Sequence, residues 1–134
     1  MIERLIIDAL LLDDEINEYV NGNIFLLSAP ESTPTPYICI TADGRADDLV
    51  VDTFDIVISI YDSDEDKSIT REISEKIRTL LNYIMLNGDN HSGVRLFFRG
   101  RTLNRMPEST LSQIIMTFDG RGFDENSVNH LINS

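Results

Sequence analysis

The sequence predicts one α+β domain, a mostly antiparallel sheet of four to five strands covered on one face by two main helices. Three observations carry this. An apolar stripe at helical spacing opens the chain, a longer one occupies its middle, and short alternating apolar runs lie between and after them. Strands and helices do not alternate strictly, which argues against a doubly wound α/β arrangement. At 134 residues and 42% apolar content the chain has the size of one domain and can bury a core without disulfides or metal.

Ile2, Leu5, Ile6, Ala9 and Leu10 recur at helical spacing, and Ile7, Leu11 and Leu12 widen the stripe, so the first helix needs partners on more than one side. Asp13-Asp14-Glu15 supply an N-cap and first-turn acids for a short second helix with Ile16, Tyr19 and Val20, which Asn21-Gly22 stops. Ile24 to Leu27 is a short strand. Three of the four prolines fall between Ala29 and Pro36, a stiff surface connection into the strand Tyr37-Ile38-Cys39-Ile40. Thr41 to Leu49 is polar, contains Gly44 and is read as a loop.

Phe54, Ile56, Ile58 and Ile60 alternate with Asp55, Val57, Ser59 and Tyr61, a strand with one wholly apolar face. A helix from about Asp66 to Asn87 follows. Its stripe is Ile69, Ile73, Ile77, Leu80, Leu81 and Ile84, with Glu72 and Lys76 spaced to pair and Gly88 as its stop. Val94, Leu96 and Phe98, then Ile114, Met116 and Phe118, mark two more strands, joined by the polar stretch from Gly100 to Thr110. After Asp119-Gly120-Arg121-Gly122 the pattern fades. The assembly domain is therefore placed at 1–119, and 120–134 is expected to be a mobile tail.

A formal charge of −12 repels phosphates and disfavours ordinary nucleic-acid binding. It fits a solvated acidic surface, and equally the lining of a channel through which DNA slides without sticking. No run approaches the roughly 18 apolar residues of a membrane span, and Met1-Ile2-Glu3-Arg4 starts no signal peptide. The single cysteine, Cys39, cannot form an internal disulfide, which fits a reducing cytoplasm.

Catalytic chemistry finds little support. Asp62-Ser63-Asp64-Glu65-Asp66 opens like a calcium loop, but Lys67 and Ile73 stand where Gly and Glu fix that geometry, so these acids are read as solvated helix-start residues. His91, in a polar turn, and His130, in the tail, lie in no metal-ligand spacing. Cys39 sits in an apolar strand as a buried thiol, and only folding could bring a histidine to it. No glycine run forms a phosphate-binding motif. Neither cofactor nor metal is expected, and the chain is not read as an enzyme.

Arg95, Arg99, Arg101 and Arg105 form the one basic concentration. Arg95, Phe97 and Arg99 share parity on one strand and hence its polar face. Arginine beside an exposed aromatic suits a protein interface, although a solvated strand face has the same pattern. As an interface it would dock on an acidic patch of the next copy, a head-to-tail contact able to close a ring.

From about residue 2 to 119 the chain resembles the tail-completion, or tail-terminator, proteins of long-tailed bacteriophages. The resemblance lies in Leu10, Ile16, Val20 and Gly22, then Ile24-Phe25, Ala29-Pro30 and Pro36-Tyr37-Ile38. The alternating strand Phe54 to Tyr61, the helical Ile77, Leu80 and Leu81, and the closing strand Ile114 to Phe118 continue it. Asn23 stands where the family often has Arg, and the tail after Gly122 has no family counterpart.

The resemblance implies a virion protein assembled in the host cytoplasm, six copies forming a ring on the head-proximal end of the tail tube. Its partners would be its own copies, the tail tube protein and a head connector, with DNA only as passing cargo and no membrane. On this view the contacts include the loop Asp43 to Leu49, with Asp43, Arg45, Asp47 and Asp48, and the segment Arg99 to Arg105. Another neck or head-completion component, an acidic cytoplasmic adaptor, and a small enzyme with a site assembled from distant residues are the competing readings.

Overall fold

Even-numbered apolar positions on four strands build the core. Ile38 and Ile40, Ile56, Ile58 and Ile60, Ile114, Met116 and Phe118, and Val94 and Leu96 are all at most 3% exposed. Side chains two apart along a strand share a face, so register turns these alternations into one apolar surface. Ile40 aligns with Ile58, and Ile58 with Met116. In a computed structural model describing residues 2–46, 51–63, 68–88, 91–105 and 111–124, this surface packs beneath the helices.

The elements are α1 (Ile2–Leu11), α2 (Asp14–Val20), β1 (Ile24–Leu26), β2 (Tyr37–Ala46), β3 (Val51–Asp62), α3 (Ser68–Leu81), β4 (Met85–Gly88), β5 (His91–Arg105) and β6 (Ser112–Asp124). They form the expected α+β class. Among the described residues the sheet has six strands in the order β1-β2-β3-β6-β5-β4, not four to five, and β1 runs parallel to β2 while the other pairs are antiparallel.

α1 packs against β1 and β2 at one edge and β4 at the other, while α3 lies on β3, β5 and β6. The sheet therefore curls around α1, whose Ile2, Ile6, Ile7 and Leu10 are buried, as its broad stripe requires. Asp13 caps α2 by accepting from the Ile16 amide at 2.9 Å, a bond of about 1 kcal/mol.

Several boundaries differ from the sequence reading. α3 stops at Leu81, because Tyr83 takes a left-handed φ of 67° and its amide donates to Leu96 O at 2.8 Å. Ile84 had extended the helical stripe, which hid β4. The residues buried on α3 are Thr70, Ile73, Ser74, Ile77 and Leu81, whereas Ile69 is 38% exposed.

β2 runs through the expected loop to Ala46. Its small Ala42 and Gly44 give no apolar alternation, and the Phe54 ring lies against Gly44. β5 continues through the expected connection to Arg105, with bulges between Ser92 and Arg95 and between Phe98 and Gly100 that shift its alternation. β6 continues past Asp119 to Asp124, and residues 125–134 lie outside the described residues.

Candidate assembly surface

Odd positions of β2, β3 and β6 form the sheet face turned away from the helices. Tyr37 stacks on Tyr61 with centroids 4.9 Å apart, and Gln113 Nε2 donates to Tyr61 Oη at 2.9 Å. Cys39 lies on this face yet is 5% exposed, and the backbone of Ala29, in the Pro-rich crossover, reaches its thiol. Burial raises the thiol pKa, which leaves it protonated and unreactive at neutral pH.

At one end of this face stands the arginine-aromatic cluster. Arg95 and Arg99 are exposed and Phe97 is half-buried. Arg99 Nη1 reaches Asp119 Oδ1 at 3.3 Å, on the neighbouring strand. Arg95 stands in register with Arg121, an unfavourable like-charge pairing, and neither is in an ion pair among the described residues.

Two residues that sequence reasoning missed complete the cluster. Tyr83 packs edge-on against Phe97, with centroids 5.9 Å apart, and is 63% exposed. Met85 is in register with Arg95 and 44% exposed. The apolar stripe of the sequence places both at the end of a helix. Tyr83-Ile84-Met85-Leu86 is a continuous apolar run without apolar–polar alternation, so periodicity could not separate a strand there from the end of the helical stripe. Exposed Tyr, Met and Arg side chains around a half-buried Phe have the composition of an interface core.

The other sequence-nominated residues do not join this cluster. The bulge at Phe98/Gly100 turns Arg101 onto the helix side, in register with Met116. There its Nη1 lies 2.8 Å from Ser74 Oγ and 2.5 Å from Glu75 Oε1, both on α3. Arg101 thus fastens β5 to α3. Asp43 is exposed on the open face in register with Asp55, and Arg45 lies in β2 in register with Thr53. Arg105 is in register with Ser112, and Asp47 and Asp48 lie outside the described residues.

The helix side carries a different charge balance. Asp13, Asp14, Glu15 and Glu18 gather on and before α2. Lys76 of α3 bonds Glu15 rather than the Glu72 expected from spacing, and this bond raises its pKa. Tyr19 has its pKa raised by a hydrogen bond to Glu72, which also ties α2 to α3.

His91 begins β5, in register with Gly88, instead of lying in a turn. His130 is outside the described residues. Asp62, expected in solvent, is 5% exposed. It accepts from Thr70 Oγ1 at 3.1 Å, and its carbonyl accepts from Ser112 Oγ at 3.2 Å, so it anchors the chain between β3 and α3. Among the described residues no three His, Cys, Asp or Glu side chains gather as a metal set. No helix among them is long and apolar enough to cross a membrane.

Comparison with known proteins places this arrangement. A solved chain described as "Virion of native gene transfer agent (GTA) particle" matches with a TM-score of 0.77 and 16% identity, over 90% of this chain and 93% of that one. A second solved chain, whose name states no function, matches with a TM-score of 0.56 and 11% identity over 91% and 95% of the two chains. At these identities the likeness is one of fold. No curated protein sequence matches. The sequence profile of the family described as "Tail completion protein gp17" matches residues 4–121, from α1 almost to the end of β6. The chain belongs to the tail completion protein gp17 family, a family of structural virion tail proteins.

Proposed function

We propose that the chain is a tail terminator: copies assemble as a ring, expected to be a hexamer, on the head-proximal end of a tail tube. The ring stops tube growth and offers a surface to the head connector, with DNA passing through its centre. The observation that carries this reading is family membership across the whole folded unit, residues 4–121. The cluster of exposed Tyr83, Met85, Arg95 and Arg99 around the half-buried Phe97 supports it, because such side chains gain by covering one another and pairing with acids across an interface. The mechanism is complementarity of shape and charge, without turnover. Assembly takes place in the host cytoplasm, and the particle is the final location.

Purified protein added to polymerising tail tube subunits tests this directly. A terminator shortens the tubes and decorates one end of each. Tubes that keep their length and carry no end density contradict the reading.

A further inference from the structure

Two stretches of strand edge have no backbone partner among the described residues, at diagonally opposite corners of the sheet. On the outer edge of β2, Ile38 N donates to Asn23 O and Leu27 N to Ile40 O. Beyond Ile40 the edge stays open through Ala46. On the outer edge of β5, Leu96 exchanges bonds with Tyr83 and Ile84, and Phe98 N donates to Asn82 Oδ1. Beyond Phe98 that edge stays open through Arg105. Each is an unused template for a further strand.

The sheet's curvature says which way a continuation would bend. A twisted sheet is saddle-shaped: one pair of opposite corners rises to one face and the other pair to the opposite face. The β1 and β4 corners rise to the helix face, since α1 touches both. The two open corners therefore bend toward the open face. A sheet continued through them curves with the open face inside and the helices outside.

The edges also match in polarity. β2, β3, β6 and β5 are four antiparallel strands, so a next copy in the same orientation sets its β2 antiparallel to this β5. Backbone groups point outward at Ala42 and Gly44, by alternation from Ile38 and Ile40. Beyond the bulge they point outward at Arg101 and Leu103. All four positions lie on the helix side of the sheet.

Resting on the self-assembly reading above, we infer that the open β5 edge of one copy pairs antiparallel with the open β2 edge of the next. Leu103 then faces Ala42, and Arg101 faces Gly44. Leu103, 46% exposed, gains an apolar neighbour, and Gly44 brings no side chain against the Arg101 that is already fastened to α3. On the open face Asp43 faces Thr102.

Within one copy Thr102 stands level with Cys39, through Ile115 and Ser59, so this register steps four residues per copy. Four residues are about 13 Å along the strands and four strands about 19 Å across them, a tilt of about 35°. That is the lower end of the range in which staggered sheets close instead of climbing.

The test is a disulfide between Asp43→Cys and Thr102→Cys with Cys39→Ala. Both positions are exposed, and the pair is non-hydrogen-bonded, the closer Cα spacing that suits a disulfide. Under mild oxidation the chain with both cysteines gives a covalent ladder beyond dimer, while a mixture of the two single variants stops at dimers. Multimers in native mass without cross-links overturn the pairing and leave self-assembly standing. A chain that is monomeric at every concentration overturns both. In a second variant, Leu103→Pro removes an outward N–H that bonds nothing within the copy. It abolishes multimers with an unchanged circular dichroism spectrum, and multimers surviving this change overturn the pairing.

Discussion

Gly122 of β6 lies so close to Val94 of β5 that a Cβ on it would stand 2.6 Å from Val94 Cγ2 and 2.8 Å from Val94 Cα. This sits at the first β5 bulge, where Ser92 aligns with Phe123 and Arg95 with Arg121. The bulge presses the β5 backbone onto β6 and sets the register of the arginine-aromatic cluster that follows it.

Gly122→Ala is therefore expected to destabilise the chain by about 2 kcal/mol or more, because backbone must move. Urea unfolding followed by circular dichroism reads this. An unchanged midpoint would show that the close approach is not required.

Tyr83 carries a β-carbon at a φ of 67°. Glycine adopts this conformation freely, so Tyr83→Gly is expected to stabilise the monomer by about 1 kcal/mol. It also removes the ring that packs on Phe97 and so weakens assembly. Thermal unfolding and native mass on one sample check the two signs, and a loss of both contradicts the proposed role.

Arg95 and Arg101 should separate in function. Arg95→Ala is expected to leave stability within about 0.5 kcal/mol, as for an exposed side chain in no ion pair among the described residues, while reducing multimer formation. Arg101→Ala loses its bonds to Ser74 and Glu75 on α3 and should lower stability by about 1 kcal/mol. Equal effects of the two on stability would contradict the division.

Alkaline stability follows from the groups that hold their protons more tightly in the fold. Burial raises the pKa of Tyr37, Tyr61 and Cys39, and hydrogen bonding to Glu72 raises that of Tyr19. Above the ordinary values of 9.0 for the thiol and 10.0 for the phenols, the unfolded chain releases protons that the native chain retains. Stability must then fall as pH rises. Lys76, raised mainly by its bond to Glu15, acts in the same direction above 10.5. Denaturant midpoints between pH 8 and 11 should decline, and a flat profile would contradict these assignments.

The sequence showed the parts of the fold that depend on periodicity. Ile56-Ile58-Ile60, Ile114-Met116-Phe118 and Ile73-Ile77-Leu81 are all at most 3% exposed in the elements predicted for them. What it hid depends on exceptions to periodicity. Strand character continued through Ala42 and Gly44 because Phe54 covers the glycine, a partner ten residues away and invisible locally. The Phe98/Gly100 bulge reversed the facing of β5, so that Arg101, close to Arg99 in the same basic run, lies on the opposite face of the sheet. Helix α3 ends on a left-handed tyrosine instead of a glycine, which concealed β4 and with it Tyr83 and Met85.

Negative-stain microscopy over a concentration series, with native mass on the same samples, tests self-assembly most directly. Six-fold rings with an open centre are the predicted result. A chain that remains monomeric at every concentration would contradict it.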